Sequence, residues 1–190
     1  MTIRTNAARA AGTIFLTSLL LLAGCQRKPR TTVFEAAKAG NVAGIQANLD
    51  AGVSIDERDA ARKTALHIAV ENGKAAAVGY LLDRGAELEA RDVTGSTPLH
   101  YAVRAGGEEI LTLLLSKGAD INARDGNGRA PLHVAIEIGA GARKSAAEGS
   151  AKSIAEILIS RGADLNATDT SGETSLQIAL NGDQRATFDM

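Results

Sequence analysis

Three histidines stand at equal steps along the chain and are the first candidates for chemistry. His67, His100 and His133 are each 33 residues apart. Imidazole is the commonest metal ligand in proteins and a frequent acid or base, so such a series could hold a metal or relay protons. If each step is one layer of packed helices, the rings lie about 10 Å apart. A metal ion needs each histidine nitrogen at about 2 Å. We therefore predict structural histidines and no metal site.

Four aspartates follow a similar step. Asp59, Asp92, Asp125 and Asp169 are separated by 33, 33 and 44 residues. Each begins a short polar stretch, where an aspartate side chain commonly bonds nearby backbone and forms a turn rather than an acid–base pair. The sequence contains no nucleophile–base pair, glycine-rich phosphate loop or metal-spaced carboxylate cluster. We therefore expect no enzyme activity, no cofactor and no small-molecule substrate; an enzyme would need a converging polar pocket.

The composition also argues against nucleic acid as a partner. The formal net charge is −1 at pH 7. The first 24 residues hold two of the 21 basic residues and no acidic one, so the remainder is more acidic than the whole. Nucleic-acid binding normally needs a concentrated basic patch. Aromatic residues make up only 3% of the chain, so the core is predicted to be aliphatic.

The N-terminus has the pattern of an export signal. Arg4 and Arg9 precede an almost wholly apolar run over residues 14–23, and small residues follow it. A basic start, a short apolar core and a small-residue end are typical of a secretory signal peptide. The apolar run is about half as long as a membrane-spanning helix requires.

The end of this segment resembles a second, more specific motif. Leu22-Ala23-Gly24-Cys25 resembles the lipobox of bacterial lipoproteins, where the signal is removed and the cysteine carries a diacylglycerol. The resemblance implies a signal peptide over residues 1–24, a lipid on Cys25 and a basic tether over residues 25–32. Because Gln26 rather than Asp follows the cysteine, we expect the periplasmic face of the outer membrane; ordinary secretion with a free cysteine is the alternative.

A longer motif shares the period of the histidines. Thr97-Pro98-Leu99-His100-Tyr101-Ala102 has counterparts that begin at Thr64 and Ala130. A Gly-Ala-acid marker begins at Gly85 and recurs 33 and then 44 residues later. Thr97 is suited to cap a helix and Pro98 to begin it. Two independent markers at one period indicate an array of repeated units.

The period and the Thr-Pro-Leu-His-x-Ala motif resemble the ankyrin repeat. This resemblance implies an all-α solenoid of about five stacked helix–turn–helix units with projecting β-turn fingers. It also implies histidines that bond backbone where finger and helix meet. The predicted repeat domain covers residues 33–181, followed by a tail over residues 182–190. Its units are near 33–58, 59–91, 92–124, 125–168 and 169–181.

Two departures from the repeat are visible. Arg62 stands where the other fingers have glycine, so a distorted turn is expected there. The fourth unit is 11 residues longer than the third, and the excess falls within residues 139–152. A Gly/Ala/Ser loop is the main expectation for this segment. Ser145-Ala146-Ala147-Glu148 has the form of a capping box, so the second helix could instead begin early; a contact with a partner is a third alternative.

The ankyrin resemblance implies a non-catalytic protein–protein interaction module, since ankyrin proteins usually bind partners through finger tips and the concave helix face. The lipobox resemblance implies that this module belongs to the bacterial cell envelope. The narrower alternatives are an inhibitor or immunity protein against an envelope-active toxin or enzyme, and a protective scaffold for an envelope enzyme. By position, the residues predicted to contact the partner are Arg62, Lys63, Val93, Thr94, Ser96, Asn127, Arg129, Ser171 and Glu173 on the fingers, and Arg104 and Glu137 on the helices.

Overall fold

A computed structural model describes residues 31–141 and 146–188 of the chain. In these residues the helices are α1 (Val33–Ala39), α2 (Val42–Asp50), α3 (Ala65–Glu71), α4 (Ala75–Asp83), α5 (Pro98–Ala105), α6 (Glu108–Ser116), α7 (Pro131–Gly141), α8 (Ala146–Ser160) and α9 (Ser175–Phe188). The part described contains no named strand, only an isolated bridge between Thr168 and Thr174. The predicted all-α class is confirmed. The predicted signal peptide and Cys25 lie outside the described residues.

The helices stack in two rows. The inner row, beside the fingers, is α1, α3, α5, α7 and α9, and the outer row is α2, α4, α6 and α8; each helix packs on its neighbours in the row and on its partner helix. At most 1% of each of the following leucines is exposed: Leu66, Leu99 and Leu132 in the inner row, and Leu81, Leu114 and Leu158 in the outer row. Since one helix pair cannot bury these faces alone, stacking supplies most of the stability.

Threonines fix where the first helices of several units begin. Thr32 precedes α1, where its hydroxyl accepts the Glu35 N–H at 3.1 Å and its own N–H donates to the Glu35 carboxylate at 3.1 Å. Thr64 and Thr97 precede α3 and α5 in extended conformations. A capping side chain satisfies backbone N–H groups that have no partner within the helix. Thr97 stands at the predicted N-cap position, where its hydroxyl lies 2.9 Å from His100 Nδ1, and the predicted proline at the first helical position of α5 is confirmed.

The extra residues of the fourth unit lengthen its helices. α7 has 11 residues and α8 has 15, against 8 for α5 and 9 for α6. The expected loop over residues 139–152 is therefore wrong for most of that segment, and the early start of the second helix is confirmed at Ala146. The reason is packing: α7 lies directly on α8, and a β-carbon on Gly139 would be in ordinary van der Waals contact with the Ala151 β-carbon, at 3.6 Å. Residues 142–145 lie outside the described part.

The last helix also differs from expectation. The repeat domain is predicted to end at residue 181, but α9 continues to Phe188. The predicted boundary at residues 181–182 thus falls inside a helix. In the second unit the chain turns into α4 at Gly73, with φ +66°, and the residue at the corresponding position of the last unit is Asp183. No second helix follows α9 in the described residues, so packing does not impose that turn. None of the described helices has both the length and the apolarity that crossing a membrane requires.

Candidate protein-binding surface

Each finger is a turn built on one aspartate. In the first finger, Asp59 Oδ1 accepts the backbone N–H groups of Ala61 at 2.9 Å and Lys63 at 2.8 Å. Asp92, Asp125 and Asp169 make the same pair of bonds in the next three fingers. These aspartates therefore shape the fingers, as predicted from their turn-forming chemistry.

The histidines join each finger to its neighbour. His67 Nδ1 accepts the Thr64 N–H at 3.2 Å, and its Nε2 lies 3.2 Å from the Ser96 carbonyl oxygen of the next unit. His100 repeats both contacts, with Thr97 and Arg129. A ring that accepts at Nδ1 and donates from Nε2 is neutral. Burial lowers the pKa of both histidines below the ordinary value. The predicted bonding of these histidines to backbone is confirmed.

Adjacent fingers also bond to each other. The Val93 N–H donates to the Ala61 carbonyl at 3.0 Å, and the corresponding bond between Gly126 and Thr94 is 2.8 Å long. A β-carbon on Gly95 would lie 2.7 Å from the Gly126 nitrogen, which real contacts do not allow. The glycine there thus serves both the turn, at φ +73°, and the close approach of the next finger. The fingers consequently form one continuous edge.

A second set of contacts joins every finger base to the helix behind it. The residue that ends the finger bonds a side chain eight positions later, on or at the end of the inner helix of the same unit. The four pairs are Lys63–Glu71 at 3.0 Å, Ser96–Arg104 at 3.0 Å, Arg129–Glu137 at 2.7 Å and Glu173–Asn181 at 2.7 Å. These pairs form a continuous polar face along the inner row.

Tyr101 organises the middle of this face. Its hydroxyl donates to Asp92 Oδ2 at 2.7 Å. The Lys63 Nζ lies 4.8 Å from the ring centroid and the Arg104 guanidinium carbon 5.7 Å from it, both within the range of cation–π attraction. Burial acts to raise the pKa of Asp92, but hydrogen bonds from Thr94, Tyr101 and Ser96 outweigh burial and hold the pKa below its ordinary value. The carboxylate therefore stays charged.

The predicted contact residues fall into two groups. Arg62, Val93, Thr94, Asn127 and Ser171 are exposed on the fingers, and Val93 keeps 61% of its surface in solvent. Arg104 and Glu137 are exposed on the inner helices, whereas Lys63, Arg129 and Glu173 are half-buried in the pairs just described.

Ser96 is a correction to the predicted set. It is fully buried, with its hydroxyl against Thr94 at 2.9 Å and Arg104 at 3.0 Å, so it cannot contact a partner directly. The finger position suggested exposure, but the Arg104 side chain covers it.

Sequence reasoning missed one end of the face. Lys38 lies 33 residues before Glu71, so the period itself could have identified it. It lines an open pocket of about 460 Å³ together with Asp59, Lys63, Ile68, Glu71 and Asn72. At this one position of the repeat, the exposed charges of α1, α3, α5 and α7 are thus Lys38, Glu71, Arg104 and Glu137, with alternating sign.

The polar groups of the face are ordered, and the described part of the chain places no cluster of metal ligands on it. Within residues 31–141 and 146–188, no three side chains of His, Cys, Asp or Glu come together as a metal site. The polar groups bond each other and the backbone, so they are held in fixed positions before any partner arrives. Such preorganisation lowers the entropic cost of association.

Comparison with known families agrees with this architecture. The family model for "Ankyrin repeats" matches three times, over residues 6–92, 33–125 and 90–141, and the model for a single "Ankyrin repeat" matches residues 127–170. No curated protein matches the chain. The matched ranges together cover most of the sequence, and the structure has the stacked helix pairs that the repeat motif predicted. The chain therefore belongs to the ankyrin-repeat family, whose repeats generally mediate protein–protein interaction.

Proposed function

We propose that this protein is a non-catalytic protein-binding module of the bacterial cell envelope. A lipid on Cys25 holds it at the periplasmic face of the outer membrane, and a partner protein binds the fingers and the inner-helix face. The family supports protein binding. The export pattern over residues 1–25 and the lipobox-like end at Cys25 support the location.

The observation that carries the binding proposal is the continuous exposed face formed by fingers and inner helices. Arg104 and Glu137 lie on it in successive units, and each is bonded to the base of its own finger. A partner that spans several units would contact side chains that are already ordered. Concave surfaces of stacked repeats are where such folds bind extended partners.

The test is cross-linking in the native host followed by purification of the membrane-extracted protein. The wild type is compared with Cys25→Ala and with the charge-exchanged pair Arg104→Glu/Glu137→Arg. We expect one envelope protein to be recovered with the wild type in near-equal amount and to be lost from the Arg104/Glu137 variant. Cys25→Ala is expected to leave the membrane fraction. The control exchange is Asp83→Lys/Lys117→Asp, which inverts an exposed ion pair of 2.8 Å in the outer row.

The activity of the recovered partner then separates the narrower roles. A partner that loses activity in the complex identifies an inhibitor or immunity protein, and one that keeps or gains activity identifies a scaffold. The binding proposal fails if no protein depends on the Arg104/Glu137 face. The anchoring proposal fails if Cys25→Ala fractionates with membranes as the wild type does.

A further inference from the structure

Arg62 occupies a backbone conformation that favours glycine. Among the described residues it is the only one other than glycine with positive φ, at +60°. The same finger position is held by Gly95, Gly128 and Gly172, with φ between +72° and +77°. An expected distortion of the turn is wrong: the Arg62 N–H donates to the Asp59 carbonyl at 2.9 Å, as the Gly95 N–H does to Asp92 at 3.1 Å. The turn is kept, and the arginine is strained.

No local contact offsets this strain. Arg62 is exposed. Its guanidinium forms no hydrogen bond, ion pair or ring contact with any residue in the described ranges, whereas Lys63 beside it is bound to Glu71 at 3.0 Å. A side chain that strains its own turn without a partner in the described fold is suited to a partner outside it.

The surroundings of Arg62 indicate what that partner carries. We call the group Lys38, Asp59, Arg62, Lys63, Glu71 and Arg104 the first-finger surface. It holds four cations and two carboxylates, although the whole chain has net charge −1. Both carboxylates are engaged: Glu71 bonds Lys63 through both oxygens, and Asp59 accepts two backbone N–H groups.

Two further cations of this surface keep donors that the described part of the chain does not use. Lys38 is exposed and forms no ion pair with the described part of the chain. The nearest carboxylate to Arg104 is Asp125, at 3.8 Å, and that carboxylate is already bound by Arg129 at 3.1 Å. The first-finger surface therefore presents three cations with unused donors, and a guanidinium donates two parallel bonds to a carboxylate.

We propose that the first-finger surface binds an acidic segment of the partner protein and that Arg62 is its anchor. This inference rests on the proposed function and specifies the chemistry of the partner. Lys38 and Arg104 supply the flanking positive charge: Lys38 lines one pocket with Lys63, the neighbour of Arg62, and Arg104 shares the Tyr101 ring with Lys63. A glycine at position 62 would form the same turn without strain, but it would lack the guanidinium that binds the partner.

The experiment measures binding of a fluorescent deca-glutamate peptide by anisotropy at low and physiological salt. The variants are Arg62→Gly and Arg62→Asn, because asparagine tolerates the left-handed conformation without charge. Both are expected to weaken binding about 3- to 10-fold at low salt, whereas the control Arg161→Asn, at an exposed arginine directly after α8, leaves it unchanged. Arg62→Gly is also expected to melt no lower than the wild type and up to about 4 °C higher.

Three results with the peptide and with vesicles would overturn the inference. The first is no detectable peptide binding by the wild type. The second is equal affinity of Arg62→Asn and wild type for the peptide. The third is a loss by Arg62→Asn of binding to vesicles of anionic phospholipid but not to the peptide, which would assign Arg62 to a membrane surface. A partner whose cross-linking requires the Arg104/Glu137 face but not Arg62 would leave the proposed function intact while this inference fails.

Discussion

At the scale of single residues, two histidines hold neighbouring units together in their neutral form. His67 and His100 use Nδ1 to accept an N–H within their own unit and Nε2 to reach a carbonyl of the next. Protonation would place a hydrogen on Nδ1, where a donor already points. Burial adds to this effect, since the charged ring loses hydration in the core.

The stability of the fold is therefore expected to fall as the pH is lowered from 7.5 to 5. The pKa of each buried histidine is lower in the folded state than in the unfolded chain, so the unfolded state binds more protons in this range. The contribution is complete above the ordinary histidine pKa of about 6.5 and is lost as the pH falls below it, by at most about 1.4 kcal/mol per pH unit for each ring. Urea unfolding at a series of pH values measures this change in the free energy of unfolding.

Glutamine offers a matched control for this prediction. In the fifth unit Gln177 stands in the histidine position, and its Oε1 accepts the Thr174 N–H at 2.7 Å. The variant His67→Gln/His100→Gln should be less stable at pH 7.5 but should have a flatter profile down to pH 5. Glu89 acts in the opposite direction near pH 5, because burial raises its pKa, and it is common to both proteins. Equal slopes of unfolding free energy against pH in the wild type and the variant would show that the histidines do not cause the loss of stability.

At the scale of elements, the fourth unit shows how packing overrides local propensity. Gly139 and Gly149 suggested a loop in the sequence, yet both lie in helices, and α7 and α8 pack against each other beside Gly139. Gly149 is exposed, and nothing lies within 4 Å of the position its β-carbon would take. The glycine there costs helix stability without serving a contact.

Gly149→Ala is accordingly expected to stabilise the protein by about 0.5–1 kcal/mol. Gly79→Ala in α4 is the reference, because that helical glycine has equally open surroundings. Gly106→Ala should destabilise, since Gly106 ends α5 with φ +70°. Midpoints of urea unfolding compare the three variants. A gain from Gly79→Ala without one from Gly149→Ala would mean that the start of α8 is not helical in solution.

The 33-residue repeat in the sequence predicted much of this architecture, because each repeated motif specifies its structure through neighbouring residues. Thr97 and Pro98 specify a helix start, and Asp92 specifies a turn, within a few residues of sequence. Features that depend on distant residues were not predictable in this way. The burial of Ser96 requires the Arg104 side chain, and the normal turn at Arg62 shows that the Asp59 bonds outweigh the preference for glycine.

At the scale of the whole molecule, the stack is uneven and its C-terminal end is the less consolidated part. His133 Nε2 is buried and has no hydrogen-bond partner within the described structure, unlike the equivalent atoms of His67 and His100. Four of the five large exposed hydrophobic residues found in the described structure lie at this end: Ile159, Leu165, Leu176 and Leu180. In earlier units the next unit covers such positions, and in the described chain no unit stacks beyond α9.

Equivalent leucines should therefore differ sharply in their contribution to stability. Leu99 and Leu176 occupy the same place in the repeat motif, but Leu99 is 1% exposed between two units whereas Leu176 is 67% exposed on α9. Leu99→Ala removes a side chain packed on both sides and should cost about 2–5 kcal/mol of unfolding free energy. Leu176→Ala should cost less than about 0.5 kcal/mol, as for a surface substitution.

Equilibrium unfolding in urea, monitored by helical circular dichroism, measures both leucine variants under one set of conditions. The m-value of Leu176→Ala should match that of the wild type, because nearly the same surface is buried on folding. A cost above about 2 kcal/mol for Leu176→Ala would contradict the exposed placement and would mean that another surface covers α9 in solution. Sedimentation of the wild type at several concentrations then distinguishes a second copy of the chain from contacts within one molecule.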